Sequence, residues 1–384
     1  MQLIRRFLRP PKESFFLFGP RGTGKSTWLK ESFSGSLWID LLDPDQLRYY
    51  SAYPERLRER LEGEPDQRVV VLDEVQKVPE LLSLVHKIIE EKRGIQFVLT
   101  GSSARKLKRG GADMLAGRAL LKHMTPFWAG ELGSLFDLQR ALEQGLLPLV
   151  WSAPNPAAVL KTYASVYLKE EVQEEGLVRR VGDFARFMEI MSFSQGCVIN
   201  ATNIARECSV SRKTVDSYLQ ILEDLLLSFS LPVFAHRAKR AMSAHPKFYF
   251  FDAGVYRSLK PQGPSDRRDE LDGIALEGLV AQHLKAWVDS QIELWQLGFW
   301  RTRSEIEVDF VVYGPKGFWA IEVKNKRDLN LWDTKGLEAF GEDYPESTRI
   351  LVYRGKDKLK KNGILCLPCE EFLRNLSPDR LILE

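Results

Sequence analysis

Short apolar runs alternate with helical patterns over the first third of the chain, between Ser14 and Thr125. The runs are continuously apolar, which indicates parallel strands that are buried on both faces of a sheet. The pattern therefore predicts an α/β fold with a doubly wound parallel sheet. The predicted strands are Ser14–Phe18, Leu37–Asp40, Arg68–Leu72, Ile95–Leu99 and Ala119–Thr125.

The rest of the chain changes pattern twice. Residues 126–182 are mostly helical in pattern, and residues 183–250 carry three compact helical patterns and an aromatic, strand-like tail at Lys247–Phe251. Residues 258–273 are rich in Pro, Gly and charge, which predicts a linker or mobile loop. An α/β pattern then returns, with a helix at Ile274–Trp287 and strands near Ile292–Leu297, Ile306–Val312, Phe318–Lys324 and Arg349–Tyr353.

The composition is that of an ordinary soluble globular protein. The 384 residues suffice for two or three domains, and the chain is 44% hydrophobic and 28% charged. A net charge of +3 is too small to indicate a polyanionic partner, although a local basic patch can still bind one.

Cysteine usage and the N-terminus predict a cytoplasmic location. Four cysteines in a chain of this length indicate a reduced protein, and the lone CxxC of Cys366 and Cys369 lacks the second pair that structural zinc needs. Residues 1–8 have no apolar stretch of signal-peptide length. No segment reaches the roughly 20 apolar residues that span a bilayer, so we expect no membrane partner.

The segment Gly19–Ser26, GPRGTGKS, follows an apolar strand and opens a helical pattern. This is the context that a phosphate-binding loop requires, because glycines let backbone N–H groups approach phosphates at a helix N-terminus. Lys25 adds a positive charge, and the Ser26 hydroxyl can ligate Mg²⁺. The predicted nucleotide-binding residues are Gly19, Gly22, Thr23, Gly24, Lys25, Ser26 and Thr27.

An acidic strand end supplies the second half of this site. The run Val69–Leu72 delivers Asp73 and Glu74 to the edge of the predicted sheet. Asp73 can hold the Mg²⁺ shell, and Glu74 can orient and deprotonate the attacking water. The sequence thus predicts a catalytic nucleotide site.

With the next strand, which ends in Thr100-Gly101-Ser102-Ser103, the pattern resembles the AAA+ ATPases. The resemblance implies a polar sensor residue beside the terminal phosphate, either Thr100 or Ser102, and we favour Ser102. It also implies an arginine finger that reaches into a neighbouring subunit. Arg118 is the candidate finger; an ordinary surface arginine is the alternative reading, and Arg105 and Arg109 compete for the role.

Four motifs together, GPRGTGKS, VVVLDEVQ, VLTGSS and LAGR, resemble a bacterial and archaeal AAA+ group of the AAA_14 type. Its members carry a C-terminal domain of unknown function, number 4143. The resemblance covers essentially the whole chain. It implies ATP and Mg²⁺ as cofactors and a homo-oligomer, for which a ring is one arrangement.

The pattern over residues 183–250 resembles a winged helix-turn-helix, with predicted helices at Phe184–Phe193, Thr202–Cys208 and Arg212–Leu227. In such a module the N-terminal residues of the third helix enter a DNA major groove, and basic residues of the wing bind phosphates. The alternative is a module for protein contacts or an ATPase lid. The nucleic-acid candidates are Arg212, Lys213, Thr214, Ser217, Arg237, Lys239 and Arg240.

A hairpin pattern carries the candidate chemistry of the C-terminal third. Two alternating strands flank a turn at Tyr313–Gly317, and a register symmetric about Pro315 and Lys316 pairs Asp309 with Glu322. Opposed carboxylates repel each other, and a divalent cation between them relieves the repulsion. Lys324, on the same face as Glu322, can then activate a water for phosphodiester hydrolysis.

This arrangement resembles the PD-(D/E)xK nuclease fold. Asp309, Glu322 and Lys324 match its strand residues, and Glu277 matches its helix glutamate. The sequence departs from the family's pattern at Val308, which stands where the family has proline. The alternative is an amphipathic surface hairpin with an incidental Lys–Glu pair.

Two main functions compete on this sequence. One is an ATPase that remodels or moves along DNA and carries a nuclease-like domain. The other is a nucleotide-controlled assembly switch whose nuclease-like fold is inactive and whose partner is DNA or protein; a defence or signalling ATPase with a protein partner is a third. The predicted domains are 1–125 (P-loop AAA+ core), 126–182 (helical lid or linker), 183–257 (winged helix) and 258–384 (nuclease-like α/β domain).

Overall fold

The computed structural model describes residues 3–102, 115–174, 181–235, 245–264 and 266–383. The chain divides into two compact units. The first comprises residues 8–125 and 224–226, and the second comprises residues 1–7, 126–223 and 227–384. The finer division of the second unit into three domains stays a prediction.

A five-stranded parallel sheet forms the centre of the first unit, with strand order β2-β3-β4-β1-β5. Every predicted strand of this region is present, and every adjacent pair is parallel, consistent with a P-loop fold. The strands are β1 (Phe15–Phe18), β2 (Leu37–Asp40), β3 (Val69–Asp73), β4 (Gln96–Gly101) and β5 (Leu120–His123).

Both faces of this sheet are buried, as its continuous apolar runs predict. Phe16 and Phe18 of β1 lie in one core cluster, whereas Phe15 and Leu17 lie in the other, where they pack with Trp28. Neighbouring residues of a strand point to opposite faces, so burial of both requires helices on both sides. The helices of this unit are α1 (Lys25–Ser32), α2 (Pro44–Ala52), α3 (Arg56–Gly63) and α4 (Glu80–Glu90), with 3₁₀ turns at Val75–Lys77 and Leu115–Gly117.

Residues 126–174 are helical, as predicted. Pro148 and Pro156 each occupy the first turn of a helix, where the missing backbone N–H costs nothing and the fixed φ favours initiation. The helices are α5 (Ala129–Leu132), α6 (Leu138–Gln144), α7 (Pro148–Trp151), α8 (Pro156–Thr162) and α9 (Leu168–Glu174), with a 3₁₀ turn at Gly133–Leu135 and a π-helical turn at Tyr163–Tyr167.

Three helices and a two-stranded antiparallel sheet follow. The helices are α10 (Val181–Phe193), α11 (Ala201–Cys208) and α12 (Arg212–Asp224), close to the predicted bounds. Their buried residues include Ile204, Val215 and Leu222, at positions that the helical spacing marks as apolar. The strands are β6 (Ser228–Leu231) and β7 (Lys247–Phe250), followed by α13 (Ala253–Leu259).

A six-stranded mixed sheet forms the C-terminal part, in the order β12-β13-β11-β10-β9-β8. Strands β8 to β10 pair antiparallel, and β11 pairs parallel with both β10 and β13. The elements are α14 (Arg268–Ser290), β8 (Gln296–Arg301), β9 (Glu307–Gly314), β10 (Gly317–Lys324), α15 (Lys335–Asp343), β11 (Thr348–Tyr353), β12 (Leu359–Lys361), β13 (Ile364–Pro368) and α16 (Cys369–Asn375), with a 3₁₀ turn at Leu331–Thr334.

Two sequence predictions in this region are wrong in their bounds. The predicted linker 258–273 contains the first residues of α14, which begins at Arg268. Asp272 is not a solvated loop charge there, because it is buried and forms an ion pair with Arg257 at 2.5 Å. The strand predicted at Ile292–Leu297 is instead β8, shifted by four residues at each end. Ile292 is fully exposed, whereas Trp300 is fully buried, so the aromatic residues set the position of the strand.

Burial of His283 predicts a pH-dependent loss of stability. Its Nε2 accepts a hydrogen bond from the Ala129 N–H at 3.0 Å, and its Nδ1 lies 2.8 Å from the Leu279 carbonyl oxygen, so the ring is neutral. Burial lowers the pKa of His283 to about 4. In the unfolded chain the histidine binds a proton below about pH 6.5. The contribution of His283 to the free energy of unfolding is therefore complete above that pH and is lost as the pH falls towards 4.

At pH 5 we expect a loss of about 2 kcal/mol relative to pH 7 from this group alone. His283→Gln keeps an acceptor but does not titrate, so its urea midpoint should fall less than that of wild type between pH 7 and pH 5. His86→Gln, at a histidine whose side chain is 30% exposed, is the control. Equal losses in wild type and His283→Gln would contradict the prediction.

Candidate functional site

The predicted phosphate loop lies between β1 and α1 of the first unit. Gly22 and Gly24 adopt φ of 83° and 89°, in the left-handed region that favours glycine. A Cβ atom at Gly19 would lie 2.4 Å from the Met124 carbonyl oxygen, so this position also admits only glycine. Thr23 donates through its hydroxyl to the Pro20 carbonyl at 2.8 Å and closes the loop.

Lys25 is the first residue of α1 and is buried despite its charge. Its Nζ donates to the carbonyl oxygens of Gly19, at 2.6 Å, and Pro20, at 3.4 Å. The ammonium group is therefore held inside the loop, facing its backbone. Thr27, the last predicted residue of this set, is exposed on α1.

Ser26 and Asp73 meet as the sequence predicts, although 46 residues separate them. The Ser26 hydroxyl donates to Asp73 Oδ2 at 3.0 Å. Asp73 is buried at the end of β3. A hydroxyl and a carboxylate side by side form the hard oxygen donor set that Mg²⁺ prefers beside phosphates, so these residues fit that ion.

Thr100 joins this cluster through two contacts. Its hydroxyl donates to Asp73 Oδ1 and accepts from the Glu74 backbone N–H at 3.0 Å. Ser102, the favoured sensor candidate, lies just beyond β4 and is 9% exposed. The structure thus ties Thr100 to the acidic strand end, and the assignment of a sensor residue stays a prediction.

Glu74 lies just beyond β3 in a left-handed conformation, with φ of 59°. Gln76 Nε2 donates to Glu74 Oε2, and the Gln76 side chain is 8% exposed. Sequence reasoning missed Gln76. The sequence does carry a signal for Gln76, because it is a polar residue between Val75 and Val78, where an apolar residue would suit the core.

Arg118 is partly exposed, and its Nη2 lies 2.6 Å from Glu90 Oε1 within the same unit. This contact neither tests nor requires a role in a neighbouring subunit. The competing candidates Arg105 and Arg109 lie outside the described residues.

The nucleic-acid candidates on α12 are mostly exposed. Three of them, Arg212, Lys213 and Ser217, are exposed. Thr214 is half-buried, and its hydroxyl lies 2.8 Å from the Ser211 hydroxyl. Arg212 lies 4.0 Å from Asp216 one turn along the helix. The wing candidates Arg237, Lys239 and Arg240 lie outside the described residues.

The C-terminal hairpin has the predicted register. Gly317 pairs with Gly314 and Ile321 with Phe310, and the next step along the two strands brings Glu322 opposite Asp309. Asp309 Oδ2 accepts from the Val323 N–H at 2.8 Å. Lys324 Nζ donates to Glu322 Oε1 at 2.5 Å, so two of the predicted side chains form an ion pair.

Lys247 lies among the carboxylates and was not predicted as a site residue. Its Nζ lies 2.5 Å from Glu307 Oε1, 3.2 Å from Glu277 Oε1 and 3.8 Å from Asp309 Oδ1. Its side chain is 3% exposed. Burial alone would lower the pKa of Lys247, but the carboxylates outweigh this and raise it, so the group stays charged.

The remaining groups of the cluster are also perturbed. Burial raises the pKa of Glu277, which accepts from the Tyr249 hydroxyl at 2.6 Å, and this outweighs the opposing effect of Lys247. Burial, with the Asp309 charge, raises the pKa of Glu322 to about 8. Glu322 Oε2 is buried and accepts no hydrogen bond within the described part of the chain.

The described residues contain no group of three or more His, Cys, Asp or Glu side chains placed to hold a metal ion. They also contain no helix with the length and apolar character needed to cross a membrane.

Family models match three consecutive segments of the chain. The first match is to the AAA domain, over residues 11–133. The first unit contains an AAA domain. Two domains of unknown function match after it, number 8612 over residues 135–266 and number 4143 over residues 272–372. The predicted pairing of an AAA domain with domain 4143 is confirmed.

Similar solved structures are remote. The Pif1 helicase from Candida albicans is 14% identical over 43% of this chain and 51% of the helicase, with a TM-score of 0.21. The match thus spans about half the length of that helicase. Protein VC1899 from Vibrio cholerae is 14% identical over 94% of this chain and 95% of its own, also with a TM-score of 0.21. These likenesses carry no argument about function, and no curated protein matches the sequence.

Proposed function

We propose that this chain is a Mg²⁺-dependent ATPase. The Ser26–Asp73 contact beside the buried Lys25 carries the proposal, because it places a phosphate-binding cation next to a set of magnesium ligands. Backbone N–H groups of the loop and Lys25 would bind the triphosphate, and Ser26 and Asp73 would hold the metal. Bound Mg²⁺ neutralises developing phosphate charge.

Glu74 and Thr100 complete the proposed mechanism. Glu74 orients the attacking water and accepts its proton. The Gln76 amide donates a hydrogen bond to the Glu74 carboxylate and so fixes its position. Thr100 fixes the Asp73 carboxylate, which is therefore preorganised for its ligand role. Release of phosphate from ATP by the purified protein, dependent on Mg²⁺, tests the proposal. No release from any nucleoside triphosphate would refute it.

We further propose that the ATPase acts on DNA through residues 183–257, as a winged helix. The support is a pair of exposed cations, Arg212 and Lys213, at the N-terminus of α12, the end that such modules insert into the major groove. ATP turnover would then drive remodelling of the duplex. A homo-oligomer, in which Arg118 exchanges Glu90 for a neighbouring phosphate, belongs to the same proposal.

Loss of both cations should weaken DNA binding and its salt dependence. For Arg212→Ala/Lys213→Ala we expect weaker binding to a fluorescent duplex and a log–log salt slope smaller by roughly 2, about one per lost phosphate contact. Lys161→Ala/Lys356→Ala removes the same charge from exposed sites of the same unit and is the matched control. An unchanged slope in the α12 variant would locate DNA binding elsewhere or exclude it.

The second candidate function is a nucleotide-controlled assembly switch with a nuclease-like C-terminal fold that does not cut. Lys247 supports this candidate, because its ammonium group is already paired with Glu277, Glu307 and Asp309, and Asp309 is one of the two predicted metal ligands. The comparison is between DNA cleavage with Mg²⁺ or Mn²⁺ by wild type and by Asp309→Ala. If wild type cleaves DNA and Asp309→Ala does not, the C-terminal domain is an active nuclease and this second candidate is refuted.

A further inference from the structure

We propose that Lys247 is the resident cation of the C-terminal carboxylate cluster, and that it replaces the divalent metal which a nuclease of this type would hold. The inference deepens the second candidate function and rests on its nuclease-like fold. It assigns the cluster of Glu277, Glu307 and Asp309 to a structural role without phosphodiester hydrolysis.

The contacts of Lys247 match the needs of a buried ammonium group. A lysine has three N–H donors and no acceptor, and three carboxylates lie within 4 Å of Nζ. The side chain also lies over the Phe299 ring, at 5.4 Å from its centroid. Glu307 and Glu277 lie within hydrogen-bond distance of Nζ, and Asp309, at 3.8 Å, adds a third negative charge.

Its backbone is held on both edges. Lys247 pairs with Leu231 in the β6–β7 ladder and forms an isolated bridge with Val198 on the other side. The backbone that carries the ammonium group is therefore fixed at this position. Such placement is unlike that of an exposed lysine that happens to be near acidic residues.

A metal ion and this lysine exclude each other. Mg²⁺ demands oxygen ligands at about 2.0–2.1 Å in near-octahedral geometry and keeps several waters. Asp309, one of the two predicted metal ligands, already faces Nζ, as does the helix carboxylate Glu277, and the lysine side chain is closed to solvent. Two cations at one buried cluster would also repel each other. The residues present therefore do not fit a divalent metal.

The unpartnered Glu322 Oε2 marks where the ion-pair network stops. Lys324 neutralises the other oxygen of Glu322, and Lys247 reaches Asp309 but has no contact with Glu322 among its ion pairs. Loss of the Lys247 charge would leave Glu277, Glu307 and Asp309 without the cation that they share. Removal of that charge should therefore let a divalent ion bind at this cluster.

The test is a titration with Mn²⁺ in the absence of nucleotide. Binding is measured as the loss of the electron paramagnetic resonance signal of free Mn²⁺. Lys247→Met keeps the length of the side chain and removes its charge. We expect it to bind one more Mn²⁺ per chain than wild type, and to lose that ion in Lys247→Met/Asp309→Asn. Its melting temperature should fall in chelator and recover with Mn²⁺. Lys285→Met, at a partly exposed lysine of α14, is the control and should match wild type.

Two outcomes would overturn the proposal. One is a stoichiometric Mn²⁺ site in wild type that Asp309→Asn removes; this titration needs no Lys247 variant and decides the matter if Lys247→Met does not fold. The other is a folded Lys247→Met that gains no ion. ATP turnover and the salt slope of DNA binding are measured separately, so either result leaves the ATPase and DNA proposals to their own tests.

Discussion

Lys25→Ala is expected to abolish most ATP turnover, with a fall in kcat of roughly 10²–10³, the typical cost of one lost donor that stabilises transition-state charge. The reason is geometric. Lys25 Nζ lies inside the phosphate loop, at 2.6 Å from the Gly19 carbonyl oxygen. Nucleotide affinity should weaken as well, because the same charge binds the ground state. Phosphate release and titration with a fluorescent ATP analogue measure the two effects.

Lys30→Ala is the matched control for Lys25→Ala. Lys30 lies on the same helix, is exposed and stacks over the Trp38 ring at 5.4 Å. Its removal changes the net charge equally but leaves the loop intact, so turnover should remain near that of wild type. If Lys25→Ala hydrolysed ATP as fast as Lys30→Ala, the loop would not be the catalytic site.

Glu74→Gln is expected to separate binding from chemistry. Loss of a general base lowers turnover by about 10²–10⁴-fold, whereas ATP affinity should be unchanged because Glu74 does not line the phosphate loop. The glutamine side chain has nearly the same shape and can still accept from Gln76. The expected signature is a fall in kcat with wild-type nucleotide binding.

The double variant Lys25→Ala/Glu74→Gln should be scarcely slower than the worse single variant, since residues that act in one step are not additive. Glu80→Gln, an exposed carboxylate at the start of α4, should behave as wild type. Weakened ATP binding in Glu74→Gln, with kcat preserved, would show that this carboxylate positions nucleotide and does not act on water.

The sequence determined much of the first unit by itself. Gly19–Ser26 and the two elements that flank it are contiguous, so one local pattern specifies strand, loop and helix. The acidic end of β3 was predictable for a related reason, because parallel strands deliver their carboxyl ends to one edge of a sheet. In the structure the Ser26 hydroxyl donates to Asp73 Oδ2 at that edge.

The hairpin register was also predictable, because a short turn fixes which residues face each other and Asp309 follows from Glu322 by counting. The shift of β8 was not. Ile292 and Leu294 suit a strand by composition, yet Trp300 is the residue that the core buries, and only packing against other elements decides between them.

Local order thus determined the motifs of this protein, since backbone hydrogen bonds and alternation act between residues close in sequence. Only the tertiary structure decided what neutralises the carboxylates. Lys247 lies 62 residues before Asp309 and belongs to a different sheet, and no periodicity connects them. A buried charge is tolerated only where distant segments supply its partners, and that condition becomes visible only when the chain is folded.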